Sequence, residues 1–255
     1  MPSEGTGTPR DRPTSDDGRF QIGLLGGFEL RLSGSILSGL TAGSQRLLAF
    51  LALKGRSITR RATADTLWPD ASEEHAHSSL RSAIVRLPVP VQKSVLVSPH
   101  DLRLADNVDV DLRDARALAH RLLNAGAELL PTDLDTAAIN ALSADLLPNW
   151  YDDWAITEAE GWRQLRLHAL EAIAGHLLAR GRYSDAADAA LLAAQAEPLR
   201  ESAYGMIIRI HLAQGNQSDA LAAYAQYCAI LKAELGLEPT RQLTDLITNF
   251  RPSDL

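Results

Sequence analysis

A mainly helical protein of two domains, α+β in its N-terminal part and all-α beyond, is what three features of the 255-residue sequence predict. Short alternating runs between glycines open the chain proper, three amphipathic stretches follow, and an alanine-rich second half repeats itself at a fixed interval. The length suits this division, since domains run to roughly 100 to 200 residues. A hydrophobic share of 45% and a charged share of 22% are ordinary for a folded chain. No apolar run reaches the ~18 residues of a membrane span. The N-terminus, MPSEGTGTPRDRPTSDDGR, lacks the apolar core of a signal peptide. Together with the single cysteine, Cys228, which has no partner for an internal disulfide and reads as packing, this predicts a cytoplasmic protein without membrane contact.

The elements follow in order. Residues 1–19 have the Gly/Ser/Thr/Pro/Asp composition of a disordered arm. From Phe20, FQIGLLGGFELRLSGSILSGL alternates apolar and polar residues between glycines, which predicts three short antiparallel strands. SQRLLAFLALKG places Leu47, Leu48 and Leu51 on one helical face and Gly55 where a helix stops. Thr59 caps a second helix, TRRATADTLW, which Trp68-Pro69 ends. A short loop leads to EEHAHSSLRSAIVRL, a third helix stopped by Pro88. VLVSPHDLRLA then reads as a hairpin around a Ser-Pro-His-Asp turn. The aspartates of VDVDL, residues 108–112, alternate as on a strand and are expected to face water.

Strands, three helices and a hairpin, in that order, are the winged helix-turn-helix of the response-regulator type, whose last helix enters the major groove while the hairpin touches backbone. On a 100° wheel centred on Leu80, the side chains of Ala76, Ala83, Ile84 and Leu87 fall within about 60° of it and form a core stripe. His75, Ser78, Arg81, Ser82, Val85 and Arg86 occupy the opposite arc and are the candidate DNA-reading residues. Arginine pairs with guanine or phosphate, serine with either, and valine meets a thymine methyl. A merely solvated helix face is the competing reading of the same arc.

The second half is read from its repeats. Helices are expected over 112–124 and 134–146, with a long one starting near Trp154. Gly181 and Gly215, Ser184 and Ser218, Asp185 and Asp219, and Ala186 and Ala220 each stand 34 residues apart. That period, with small residues where helices cross, fits tetratricopeptide-like pairs over about 167–200 and 201–234. Such stacks bind protein segments and carry no inherent catalytic chemistry. Trp150, Tyr151, Trp154 and Trp162 stand at helical spacing, which favours core over an exposed contact patch.

The stretch LWPDASEEHAHSSLRSAIVRL, with LLGGFELRLSG, SQRLLAFLAL and LRLADNVDVDL around it, resembles the DNA-binding domain of the Streptomyces antibiotic regulatory protein family. Residues from LLPNWYDDWAITEAEGW to ELGLEPT are similar to the bacterial transcriptional activation domain of that family. The resemblance implies an activator that binds direct repeats in double-stranded promoter DNA as a homodimer, recruits RNA polymerase and governs secondary-metabolite genes. It makes the loop Trp68, Pro69, Asp70, Ala71 and Ser72 a candidate polymerase contact. It implies a winged-helix domain over 20–111 and an activation domain over 112–250. The sequence departs from the family after Leu87, where Pro88-Val89-Pro90 replaces further basic residues, and Glu73 and Glu74 place negative charge at the front of the helix.

Charge by segment tempers the reading. Residues 20–112 hold ten Lys+Arg against nine Asp+Glu, and residues 113–255 hold twelve against nineteen. DNA binding must therefore rest on where the arginines sit, and a protein-interaction scaffold or a small-molecule-responsive regulator remain the alternatives. Catalytic readings are weak. No GxxxxGK[ST] offers a phosphate cradle. His75 and His77 diverge by about 200° on a helix, so neither a metal nor a cofactor is expected. Asp152-Asp153 reads as helix capping rather than acid-base chemistry, and no enzyme activity is expected.

Overall fold

The computed structural model describes residues 19–248, so the predicted N-terminal arm lies, except for Arg19, outside the described residues. Strands β1 (Phe20–Gly23), β2 (Glu29–Leu32) and β3 (Ser35–Ile36) form the expected antiparallel run. A fourth strand, β7 (Val108–Val110), returns from the far side of the hairpin to pair parallel with β1, with Ile22 opposite both Leu30 and Val110. Alternation puts Phe20, Ile22, Leu30, Val108 and Val110 on the buried face.

Helix α1 (Ala42–Lys54) begins where the Thr41 hydroxyl accepts from the Ser44 N–H and ends at Gly55, whose φ of 61° suits a residue without Cβ. Every residue from Leu47 to Leu53 is buried, so this helix is the centre of the N-terminal core. Strand β4 (Ile58–Thr59) precedes α2 (Arg60–Leu67), which Thr59 caps as expected. Helix α3 (Glu73–Val85) buries Ala76, Leu80 and Ala83, and the Ser44 hydroxyl ties it to α1 through the Ala83 carbonyl at 2.9 Å. A turn of helix not anticipated from the sequence, α4 (Val89–Gln92), follows Pro88 and buries Val91. Proline fits the first turn, where its missing N–H leaves no bond unmade. The hairpin β5 (Val95–Val97) and β6 (Asp101–Leu104) forms the wing, and β4 adds to it in the order β4-β6-β5.

Helix α5 (Asp111–Leu123) opens the second half. Here one expectation is corrected. Asp109 does stay at the surface, bonded to Arg19 at 2.9 Å, but Asp111 does not face water. It has left the strand, and its half-buried carboxylate accepts from the Leu24 and Leu25 N–H groups at 2.9 and 3.1 Å. Burial raises its pKa against those hydrogen bonds.

The helix expected over 134–146 is shorter. A 3-10 turn, Pro131–Leu134, leads to Asp135, whose carboxylate caps α6 (Thr136–Ser143) at the Ala138 N–H. Residues beyond leave the helix to bridge the segment after β1: Leu146 pairs with Leu25, and the Leu147 N–H donates to the Leu24 carbonyl at 3.0 Å. The long α7 (Asp153–Leu178) then packs with α8 (Tyr183–Ala196), and α9 (Glu201–Ala213) with α10 (Gln217–Leu235). Helices α8 and α10 begin at Tyr183 and Gln217, the predicted period apart, after Gly181 and Gly215 at φ of 72° and 78°. Ala186 and Ala220 are fully buried at the crossings. A last helix, α11 (Arg241–Thr248), closes the stack against α9 with Leu243 and Ile247. No helix among the described residues is long and apolar enough to cross a membrane.

Candidate nucleic-acid interface

Five of the six candidate readers lie on the exposed arc of α3, and the sixth, Arg86, is its C-cap. His75, Ser78, Arg81, Ser82, Val85 and Arg86 face solvent, while the Leu80 stripe faces the core. Ser72 is the N-cap of the helix, and its hydroxyl stands 2.8 Å from His75 Nδ1. That bond leaves Nε2 as the outward nitrogen of His75. Val85 closes the helix with 74% of its surface exposed, which is unusual for valine and suits an apolar contact. Glu73 leans toward Arg61 of α2 at 3.6 Å, so one of the two leading acids is partly neutralised within the protein.

The basic residues sort themselves by partner. Among the ten Lys and Arg of residues 20–112, Arg31, Arg46, Lys54, Arg61 and Arg103 are paired with carboxylates. Arg56, Arg60, Arg81, Arg86 and Lys93 make no ion pair among the described residues. Arg60 opens α2 beside the wing, where its N–H donates to the His100 carbonyl at the hairpin turn. Arg56, Arg60 and Lys93 stand outside α3, where a helical wheel does not reach them. Their signal was positional only: two flank the start of a capped helix and the third precedes the hairpin.

The candidate polymerase loop, Trp68 to Ser72, is exposed except for the half-buried Trp68, and a bond from the Ala71 N–H to the Trp68 carbonyl folds it at 3.2 Å. The tryptophans split as core and edge. Trp162 is fully buried with its indole N–H on the Ala144 carbonyl, Trp154 packs edge-on against Phe50, and Trp150 meets Phe28, while Tyr151 is 82% exposed. Asp152 stands at the N-cap of α7 but makes no capping bond; its carboxylate pairs with Arg46 instead, which corrects the expected capping role. A long-range guanidinium competes successfully with the local N–H groups because it brings a full charge.

Residues 108–251 match the family described as bacterial transcriptional activator domain. The chain belongs to that family. Similar proteins include the regulatory protein AfsR of Streptomyces coelicolor, 27% identical over 246 residues, and its namesake from Streptomyces griseus, 27% identical over 252. Each match covers 94% of this chain but 25% of the relative, so the chain spans about a quarter of the length of those proteins. Among solved structures, Mycobacterium tuberculosis EmbR in complex with a low-affinity phosphopeptide has the same fold, with a TM-score of 0.69 at 24% identity. The match covers 93% of this chain and 67% of that one. The resemblance to the Streptomyces antibiotic regulatory proteins is thereby borne out, and so is the winged-helix plus helical architecture of this activator-domain protein.

Proposed function

We propose that this chain is a DNA-binding transcriptional activator in which residues 20–111 grip promoter DNA and residues 112–250 join two protomers. The observation that carries the reading is the distribution of unpaired cations. Arg81 and Arg86 are unpaired on the exposed arc of α3 and its C-cap, and Arg56, Arg60 and Lys93 are unpaired elsewhere in the same domain, Arg60 at the start of α2. A folded domain close to neutral gains little from leaving half its cations unpaired, whereas phosphate contacts gain affinity from each one through counterion release. The acidic second half, with nineteen carboxylates against twelve cations, suits protein contacts rather than nucleic acid.

In this reading α3 enters the major groove with Arg81 and Arg86 on base edges or phosphate, Ser78 and Ser82 beside them, Val85 against a thymine methyl and His75 at the leading end. The exposed loop Trp68 to Ser72, which runs into the start of α3, contacts RNA polymerase in this reading. The target genes are those of a secondary-metabolite cluster, as the family resemblance suggests. A mobility-shift assay of the chain on promoters from its own genomic neighbourhood tests this. Arg81→Ala and Arg86→Ala should fold normally and each lose about 1 to 3 kcal/mol of binding. If both bind promoter DNA as well as the parent does, α3 is not the reader.

A further inference from the structure

The end of α3 carries an apolar step that packing within the protein does not use. Val85, the last residue of the helix, is 74% exposed, and Val89, the first of α4, is 75% exposed. Among the described residues only Tyr151 leaves a larger share of a big apolar side chain in solvent. Leu87 and Val91 are buried, so the chain is anchored here while the two valines are left outside. Four residues span at most about 14 Å, and the bond from the Leu87 N–H to the Ile84 carbonyl shortens that reach, so both valines fall within one short stretch of any partner. A side chain branched at Cβ keeps few rotamers, and each valine therefore offers its two methyl groups at a settled position.

The charges around the step say what that partner is. From His75 to His100 the chain holds no carboxylate, and its three cations there, Arg81, Arg86 and Lys93, make no ion pair among the described residues. The acids of the helix stand at its other end, with Glu74 about 16 Å from Val85 along the axis. An apolar protein surface would cover the valines and leave the cations unmatched. Duplex DNA meets both needs, with phosphates for the cations and, in the major groove, one kind of apolar group, the C5-methyl of thymine. Glu73 and Glu74 disfavour the front of the helix beside phosphate, which moves the reading toward its rear.

We propose that Val85 and Val89 together read thymine methyl groups, so that the half-site is discriminated at thymines by methyl contact as well as by the hydrogen bonds of Arg81 and Arg86. The inference rests on the DNA-binding reading above and adds Val89, which lies outside α3, to the recognition surface.

The test uses the full chain and a duplex that it selects from a random-sequence pool, resynthesised with deoxyuridine for thymidine, which removes only the C5-methyl groups. Binding of the two duplexes is compared by anisotropy. The parent should bind the uracil duplex about fourfold more weakly for each methyl contacted. Val85→Ala and Val89→Ala, both at exposed positions, should fold as the parent does, and each should lose part of that preference. The double variant should bind the two duplexes alike. Equal binding of both duplexes by the parent would overturn the methyl reading and leave DNA binding standing. An undiminished preference in the double variant would overturn it too, since the methyl groups would then act through the shape of the duplex. A full preference kept by Val89→Ala would remove Val89 from the surface and overturn the pair. Failure to enrich any duplex would sink the DNA-binding reading itself and this inference with it.

Discussion

Glu158 shows how one carboxylate fastens three helices. It sits in the second turn of α7, accepts from Lys54 of α1 at 3.2 Å and from Arg116 of α5 at 3.0 Å, and is about three-quarters buried. Burial alone would raise its pKa, but the two cations together outweigh it and hold the carboxyl below its ordinary range. Because the folded pKa lies below the unfolded one, the contribution is whole above the unfolded value of about 4.3 and is lost as pH falls through the folded value. Glu158→Gln should therefore cost about 1 to 2 kcal/mol at neutral pH, since it leaves two cations short of a partner. Urea melts of parent and variant should begin to converge only as pH falls below the unfolded value of about 4.3, and meet once pH is below the lowered folded value. A cost that stays constant down to that pH would assign the effect to packing instead. Neither this triad nor the Arg46–Asp152 pair was legible in the sequence, for the partners stand 104 and 42 residues apart in the one and 106 in the other and leave no periodic trace.

Helices are another matter, because their determinants are local. The pairing of α7 with α8 and of α9 with α10 repeats the same crossing twice, and Ala186 and Ala220 mark it by having no exposed surface. A side chain that small lets backbones approach, so Ala186→Leu and Ala220→Leu should each overpack the crossing and cost about 1 to 3 kcal/mol. Ala225→Leu, on the exposed side of α10, should change stability by less than about 0.5 kcal/mol. Thermal unfolding followed by circular dichroism separates these outcomes, and equal effects at all three positions would refute the repeat geometry. The same locality explains what the sequence disclosed: Thr59 and Gly55 bracket helices through their own backbone neighbours, and Leu80 declares its stripe by spacing. What stayed hidden needed distant partners. Asp111 reads as a strand residue until the turn after β1 offers it the N–H groups of Leu24 and Leu25, and residues 144–146 read as helix until Leu25 draws Leu146 into a bridge.

At the scale of the molecule, those distant contacts decide how the α3 helix is carried. Backbone bonds from Leu147 to Leu24 and from Gly26 to Asp145, the Phe50–Trp154 and Phe28–Trp150 ring pairs, and the Arg46 and Glu158 ion pairs all cross between the two halves. Three kinds of interaction spread over the β1–β2 loop, α1 and α7 leave no single hinge between them. If two protomers join through their helical halves as proposed, each presents α3 at a fixed position, and two such helices on a direct repeat should meet half-sites one turn apart, about 10 to 11 base pairs. In the proposed reading five unpaired cations per winged domain give one grip a modest affinity, and the tethered second one becomes effectively intramolecular. Inserting about five base pairs turns the second half-site to the far side of the duplex and should abolish cooperative binding. A full-turn insertion restores the face but moves the half-site about 34 Å further along the axis, a distance that a joint without a hinge cannot span. Cooperativity should stay lost there too, in a shift assay with spacing variants of one promoter. Its recovery at the full turn would mean that the junction opens, and binding indifferent to every spacing would mean that protomers bind singly.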